Sequence, residues 1–169
     1  MKVTTGLILF STLFALAWAG ACSSAGDKAT SPAALPADVE TLRASLAPFS
    51  SLGRAKSAGY NTAITDCMSN GDIGAMGVHF GDVTLFDDVV DPLRPEVLIY
   101  EPGTNGEMSL VGVEFIVPFS EVPRTSPAPM LFGQKFLVDD AFGLWGLHVW
   151  THRANPSGLF APWNPRVHC

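Results

Sequence analysis

Residues 143–169, GLWGLHVWTHRANPSGLFAPWNPRVHC, constrain the fold of this chain more than any other stretch. They hold three of its four tryptophans, three of its four histidines, two Asn-Pro turns and a cysteine, which is too much ordered chemistry for a fraying end. A strand over 144–153 has a period of two. It sets Leu147, Val149 and Thr151 on one face and His148, Trp150 and His152 on the other. One face is apolar, and the other is aromatic and titratable. Beyond the strand, Asn155-Pro156-Ser157-Gly158 and Trp163-Asn164-Pro165 read as turns, because a residue before proline leaves the α region and glycine supplies positive φ. A chain that turns twice while carrying Leu159, Phe160 and Trp163 wraps back over a core, and Cys169 is placed to fasten it.

The opposite end reads as an export signal. Lys2 supplies the positive start, residues 7–18 form an uncharged apolar run too short to span a membrane, and Ala19-Gly20-Ala21 is a small-residue exit before Cys22. Two processing routes fit. Ala19 and Ala21 satisfy the small-residue rule for ordinary signal cleavage and a soluble secreted product, whereas AGAC resembles a bacterial lipoprotein box, although Ala19 stands where leucine is more usual. Cysteine arithmetic favours the second. With Cys22 lipidated, Cys67 and Cys169 remain as a pair able to oxidise outside the cytosol, a disulfide, with a free thiol as the other possibility. The expected organisation is a signal peptide over 1–21, a lipidated Cys22 and flexible tether over 22–37, and one globular domain over 38–169. The tether is small, polar and proline-containing, with too little apolar surface to pack.

The composition, 47% hydrophobic and 15% charged, supports a real core, and the ten Lys and Arg are scattered singly in a chain of formal charge -6. No basic stripe exists to neutralise a phosphate backbone, so nucleic acid is set aside. Asp38 can cap a helix through Val39, Leu42 and Leu46 that Pro48 stops, and the Ala-rich stretch 50–67 predicts a second helix with Leu52, Ala55 and Ala63 inward. Gly71, Gly74 and Gly77 mark either a loose loop or a close approach by another backbone or a ligand. Residues 97–100 and 110–117, joined by the turn over 101–106, predict an antiparallel hairpin at the centre of a sheet. Residues 118–129 carry four prolines and cannot form a central strand.

Five side chains are candidates for a site: His79, Glu96, Glu114, His148 and His152. His148 and His152 cannot chelate one ion from a strand, since four residues at ~3.3 Å put them ~13 Å apart. A metal must draw ligands from different strands, most economically His79, Glu114 and His148, with Glu96, His152 and Trp150 as supporting residues. Two histidines and a carboxylate suit zinc, iron or manganese. Alternation puts Leu110, Gly112, Glu114 and Ile116 on one face and Val111, Val113 and Phe115 on the other, so Glu114 sits on a largely apolar face. Three readings of it stand: a wet carboxylate on an edge strand, a metal or catalytic group, or a buried salt bridge, for instance to Arg94 or Arg153. For the histidines, a hydrogen-bonded core role competes with ligation. Neither a C-x-x-C-H haem motif nor a G-x-S-x-G serine elbow is present.

Six blocks, GAMGVHF (74–80), PEVLIYEP (95–102), LVGVEFIVP (110–118), LFG (131–133), LHVW (147–150) and NPSGLFAPWNPRVHC (155–169), together resemble a family of exported, mostly bacterial hypothetical proteins. The resemblance covers about residues 55–169. It implies export and brings no activity with it.

These readings combine into an α+β fold, with short N-terminal helices on one side of a curved antiparallel sheet of four or five strands that closes toward a cupin-like half barrel. The expected function is an envelope-tethered lipoprotein domain that binds a metal ion or small ligand on the sheet's concave face. A metal-dependent enzyme with Glu96 or Glu114 as general base draws on the same residues. The alternative is a structural or interaction lipoprotein in which Trp145, Trp150, Phe160 and Trp163 are core or form a surface for an envelope protein.

Overall fold

Apolar periodicity sets the order of elements from the first helix onward. The structure is a computed structural model that describes residues 1–3 and 34–169; the leader beyond Val3, Cys22 and most of the tether lie outside the described residues. Helix α1, Ala37–Ser45, carries the stripe Val39, Leu42 and, just past its end, Leu46, all fully buried. Each such aliphatic contributes ~1.5–3 kcal/mol relative to exposure. Asp38 lies inside the first turn and accepts the N–H of Val39 at 2.8 Å, and Pro36 holds the cap position instead. A 3-10 turn, Ala47–Ser50, contains Pro48.

Helix α2 spans only Leu52–Ser57, which corrects the longer helix expected over 50–67. Gly59 ends the run at φ 117°, and the β-branched Thr62, Ile64 and Thr65 that follow enter strand β1, Thr62–Ser69, with Ala63 exposed. The remaining strands are β2 (Ala75–Gly81), β3 (Val97–Pro102), β4 (Met108–Pro118), β5 (Met130–Leu131), β6 (Gln134–Lys135), β7 (Leu137–Asp139) and β8 (Leu144–Val149). Apart from the small β5–β6 ladder, they form one sheet of six strands in the order β1-β2-β3-β4-β8-β7, antiparallel throughout. It curls into a half barrel. The count exceeds the expected four or five because 62–69 pairs as a strand and Leu137–Asp139 adds an edge. The β3–β4 hairpin takes the two middle places, as its sequence predicts.

One face of the sheet packs under the helices, with Leu98, Tyr100, Val113, Phe115, Val117 and Leu147 in a single cluster with α1. Tyr100 donates its hydroxyl to the Phe49 carbonyl at 2.6 Å, and Tyr60 donates to the Pro95 carbonyl at 2.9 Å, so both buried phenols are satisfied. The face parity expected along 110–117 holds from Gly112 onward and fails before it. A register shift lets Ile99 pair with Gly112 and Tyr100 with Leu110, so Leu110 joins the helix-side core and Val111 turns to the other face. An extra residue in one strand flips every side chain on one side of it.

On that second face, the C-terminal stretch closes over Ala75, Ile99, Val111 and Trp150 with Val167. Asn164, fully buried, exchanges both backbone hydrogen bonds with Ala75 at 3.0 and 3.1 Å. Gly74 is where this contact demands glycine: at φ 117° a Cβ would lie 2.3 Å from the Asn164 backbone. The glycine cluster therefore marks a close backbone approach. A disulfide joins Cys67 of β1 to Cys169, closing a loop of 102 residues, which the chain-entropy account values at ~4–5 kcal/mol. None of the described helices is long and apolar enough to cross a membrane.

Glu96 is 1% exposed at the start of β3. Its Oε2 accepts the Ile116 N–H at 3.0 Å, continuing the β3–β4 ladder at a point where β3 has not yet begun. Burial pushes its carboxyl up to about 8. The folded state thus keeps a proton that the unfolded chain releases near its ordinary value, so this group's contribution to stability is lost as pH rises from about 5 to about 8. Glu96→Gln keeps the acceptor and removes the ionisation. Urea unfolding of both proteins across this range should show the variant gaining on the parent by on the order of a few kcal/mol as pH rises, with the difference flat below pH ~4.5.

Candidate metal centre

Register alone brings two of the site's residues together, because Glu114 on β4 and His148 on β8 are direct cross-strand partners. His79 stands on β2 opposite Ile99 of β3 and reaches toward them across that strand. Its Nε2 lies 3.7 Å from Glu114 Oε2 and 3.4 Å from His148 Nε2, and His148 Nδ1 lies 3.5 Å from Glu114 Oε1. One ligand atom from each of the three falls within 4.8 Å of the others. The His79–His148 separation equals the ~3.4 Å ligand–ligand edge of a tetrahedral centre with bonds of ~2.0–2.1 Å, and Glu114 would close on the same ion by a small side-chain adjustment.

Neighbouring residues hold this geometry. Thr65 on β1 sits 2.9 Å from His79 Nδ1, and when its hydroxyl accepts that ring N–H the Nε2 lone pair faces Glu114. Trp150 stacks on His148 with ring centroids 6.2 Å apart and planes at 23°, and its indole N–H donates to the Ala161 carbonyl at 2.6 Å. Gly146 leaves room for the carboxylate, because a Cβ there would stand 2.6 Å from Glu114 Oε1.

The three side chains line a cavity of about 190 Å³ to which all six strands of the main sheet contribute, with Phe142 and Trp163 added from the segments beyond β7 and β8. Its walls are largely apolar. Burial lowers both imidazoles to about 4, keeping them in the neutral form that ligates metals. Burial also raises Glu114 to about 7, with Asp139 adding to the rise and His79 opposing it. A cation among these groups would offset the desolvation of the carboxylate.

The wet-edge reading of Glu114 and its pairing with either arginine fall away. Strand β4 is central, Arg153 pairs with Glu101 instead, and Arg94 is exposed. Of the supporting residues expected, Trp150 touches the site and two do not. Glu96 caps the β3–β4 ladder and does not line the cavity. His152 is exposed on the bend after β8, bonded to the Thr151 hydroxyl at 2.8 Å, because the strand ends at Val149 and alternation ends with it. Thr65, Asp139 and Gly146 were not legible as site residues. Thr65 lay in an expected helix, Asp139 in an unassigned segment, and Gly146 carried only the general signal of glycine inside a strand.

Comparison with protein-family models, curated proteins and solved structures finds no match to this chain. The geometry therefore carries the functional argument.

Gly146→Ala should keep the fold, because the atom in its way is the end of a flexible side chain, and should displace Glu114. Zinc competition with a chromophoric chelator is expected to show affinity lowered at least ~10-fold. Unchanged affinity would remove Glu114 from the ligand set.

Proposed function

We propose that this domain binds a divalent transition metal ion, zinc, iron or manganese, through His79, Glu114 and His148, and presents it to a small ligand in the adjoining cavity. The observation that carries the reading is the convergence of two neutral imidazoles and one carboxylate, from three different strands, with one ligand atom of each within 4.8 Å of the others. Three protein ligands leave a coordination position for water or a ligand, the arrangement of reactive rather than purely structural sites. In this reading the protein is exported and held at the bacterial envelope by lipid on Cys22. The Cys67–Cys169 disulfide supports export, since such bonds persist outside the reducing cytosol.

Of the alternative, a structural or interaction lipoprotein, the structural half with these aromatics as core stays compatible, and the interaction half lacks the exposed aromatic surface it called for. Trp145 and Trp150 are buried, and Phe160 and Trp163 are half-buried, so these four aromatics form no exposed recognition surface.

Inductively coupled plasma mass spectrometry of the exported chain, purified without a histidine tag, should find near-stoichiometric zinc, iron or manganese. His148→Ala should lose it while keeping its near-ultraviolet circular dichroism. A metal-free parent that also fails to take up added zinc, iron or manganese would end this reading.

A further inference from the structure

The cavity beside the three ligands selects by charge as well as by size. Its apolar wall is built from Ile64 and Met68 of β1, Met76 of β2, Ile116 of β4 and Leu144 of β8, with Trp163 on the C-terminal side. Among the described residues no lysine or arginine lines it, and the only carboxylates are those of Glu114 and Asp139. A bound divalent ion would be balanced by these two carboxylates, leaving no fixed charge to offset that of an ionic ligand. Phosphates and carboxylates would find no cationic side chain among the described residues, the ion being their one positive partner, and either would leave the cavity with a net charge, while an ammonium would meet an ion of its own sign. Burying either in such a space is costly. Size narrows the choice further, since an apolar cavity of ~150 Å³ accepts benzene and this one measures about 190 Å³.

We infer that the cavity binds a small uncharged molecule, a ring or branched aliphatic of ~8 non-hydrogen atoms carrying one hydroxyl or carbonyl oxygen toward the metal. The inference deepens the metal reading of the same site and rests on it for the ion's share of the charge balance and for the anchoring of that oxygen. Shape and the absence of cations in the wall carry the rest. Asp139 is already engaged, its Oδ1 accepting the N–H groups of Ala141 and Phe142 at 2.9 and 3.1 Å, so it shapes the rim instead of reaching for a ligand.

Three probes of equal bulk test this: benzyl alcohol, benzoate and benzylamine. Each is titrated into the zinc-loaded and the metal-free protein and followed by the indole N–H resonance of Trp163. The alcohol should bind the zinc-loaded protein at least ~10-fold more tightly than either ion, the ratio set by the cost of burying an unpaired charge. Met68→Trp, on an edge strand where folding tolerates the change, should weaken alcohol binding at least ~10-fold by filling the space, with zinc content measured in parallel. Met68→Arg should bring benzoate binding up by supplying the missing cation. Preference for benzoate or benzylamine, or no binding of any probe, overturns the inference. If zinc does not bind, the metal reading fails separately. The cavity is then judged on the metal-free protein, where preference for the alcohol sustains the charge argument and preference for either ion defeats it.

Discussion

A single carboxylate in the middle of a β-sheet is the constraint to which the rest of the site conforms. Glu114 occupies a central strand, on a face whose other contributors include Val97, Ile116 and Trp150, and only 15% of its side chain reaches solvent. An ionised carboxylate in that setting costs several kcal/mol unless something compensates it. The groups that meet it are assembled from distant parts of the sequence: an imidazole directly across the ladder, a second imidazole reaching over an intervening strand, and a glycine that vacates the space its oxygen fills. Remove the curl of the sheet and His79 no longer meets His148. The half barrel is what turns three separate strand positions into one site.

The C-terminal stretch finishes what the sheet begins. Trp150 presses on the His148 ring, its indole anchored to Ala161, and Trp163 closes one wall of the cavity. Asn164 is stitched to the first residue of β2, and the disulfide returns the last residue to β1, the strand whose Thr65 orients His79. One covalent tie thus joins the C-terminal stretch to β1, two of the elements that wall the cavity. Turns, aromatic anchors and a cystine together hold in place a segment that has almost no regular secondary structure of its own.

Much of this was legible in residue patterns, and the failures have physical causes. Alternation of apolar and polar residues located β3, β4 and β8 and put Glu114 and His148 on the right faces. Proline placement excluded 118–129 from the sheet, and an odd cysteine count singled out Cys67 and Cys169. Helix propensity misled over 50–67, because alanines there favour helix locally while the sheet's need for an edge partner claims 62–69. Alternation also failed at Val111, where a bulge changes the parity, and at His152, where the strand has already ended. Thr65 and Asp139 act through spatial neighbours supplied by other strands, and no local pattern announces such a role.

X-ray absorption at the zinc K-edge of the zinc-loaded protein reads the central claim directly, because it reports the identity and distance of every atom bound to the ion. Two imidazole nitrogens and one or two oxygens at ~2.0–2.1 Å, with the outer-ring scattering of two histidines and no sulfur, are the coordination that His79, Glu114 and His148 define. A sulfur at ~2.3 Å, or a shell of oxygens with at most one imidazole, would place the ion elsewhere and contradict the account.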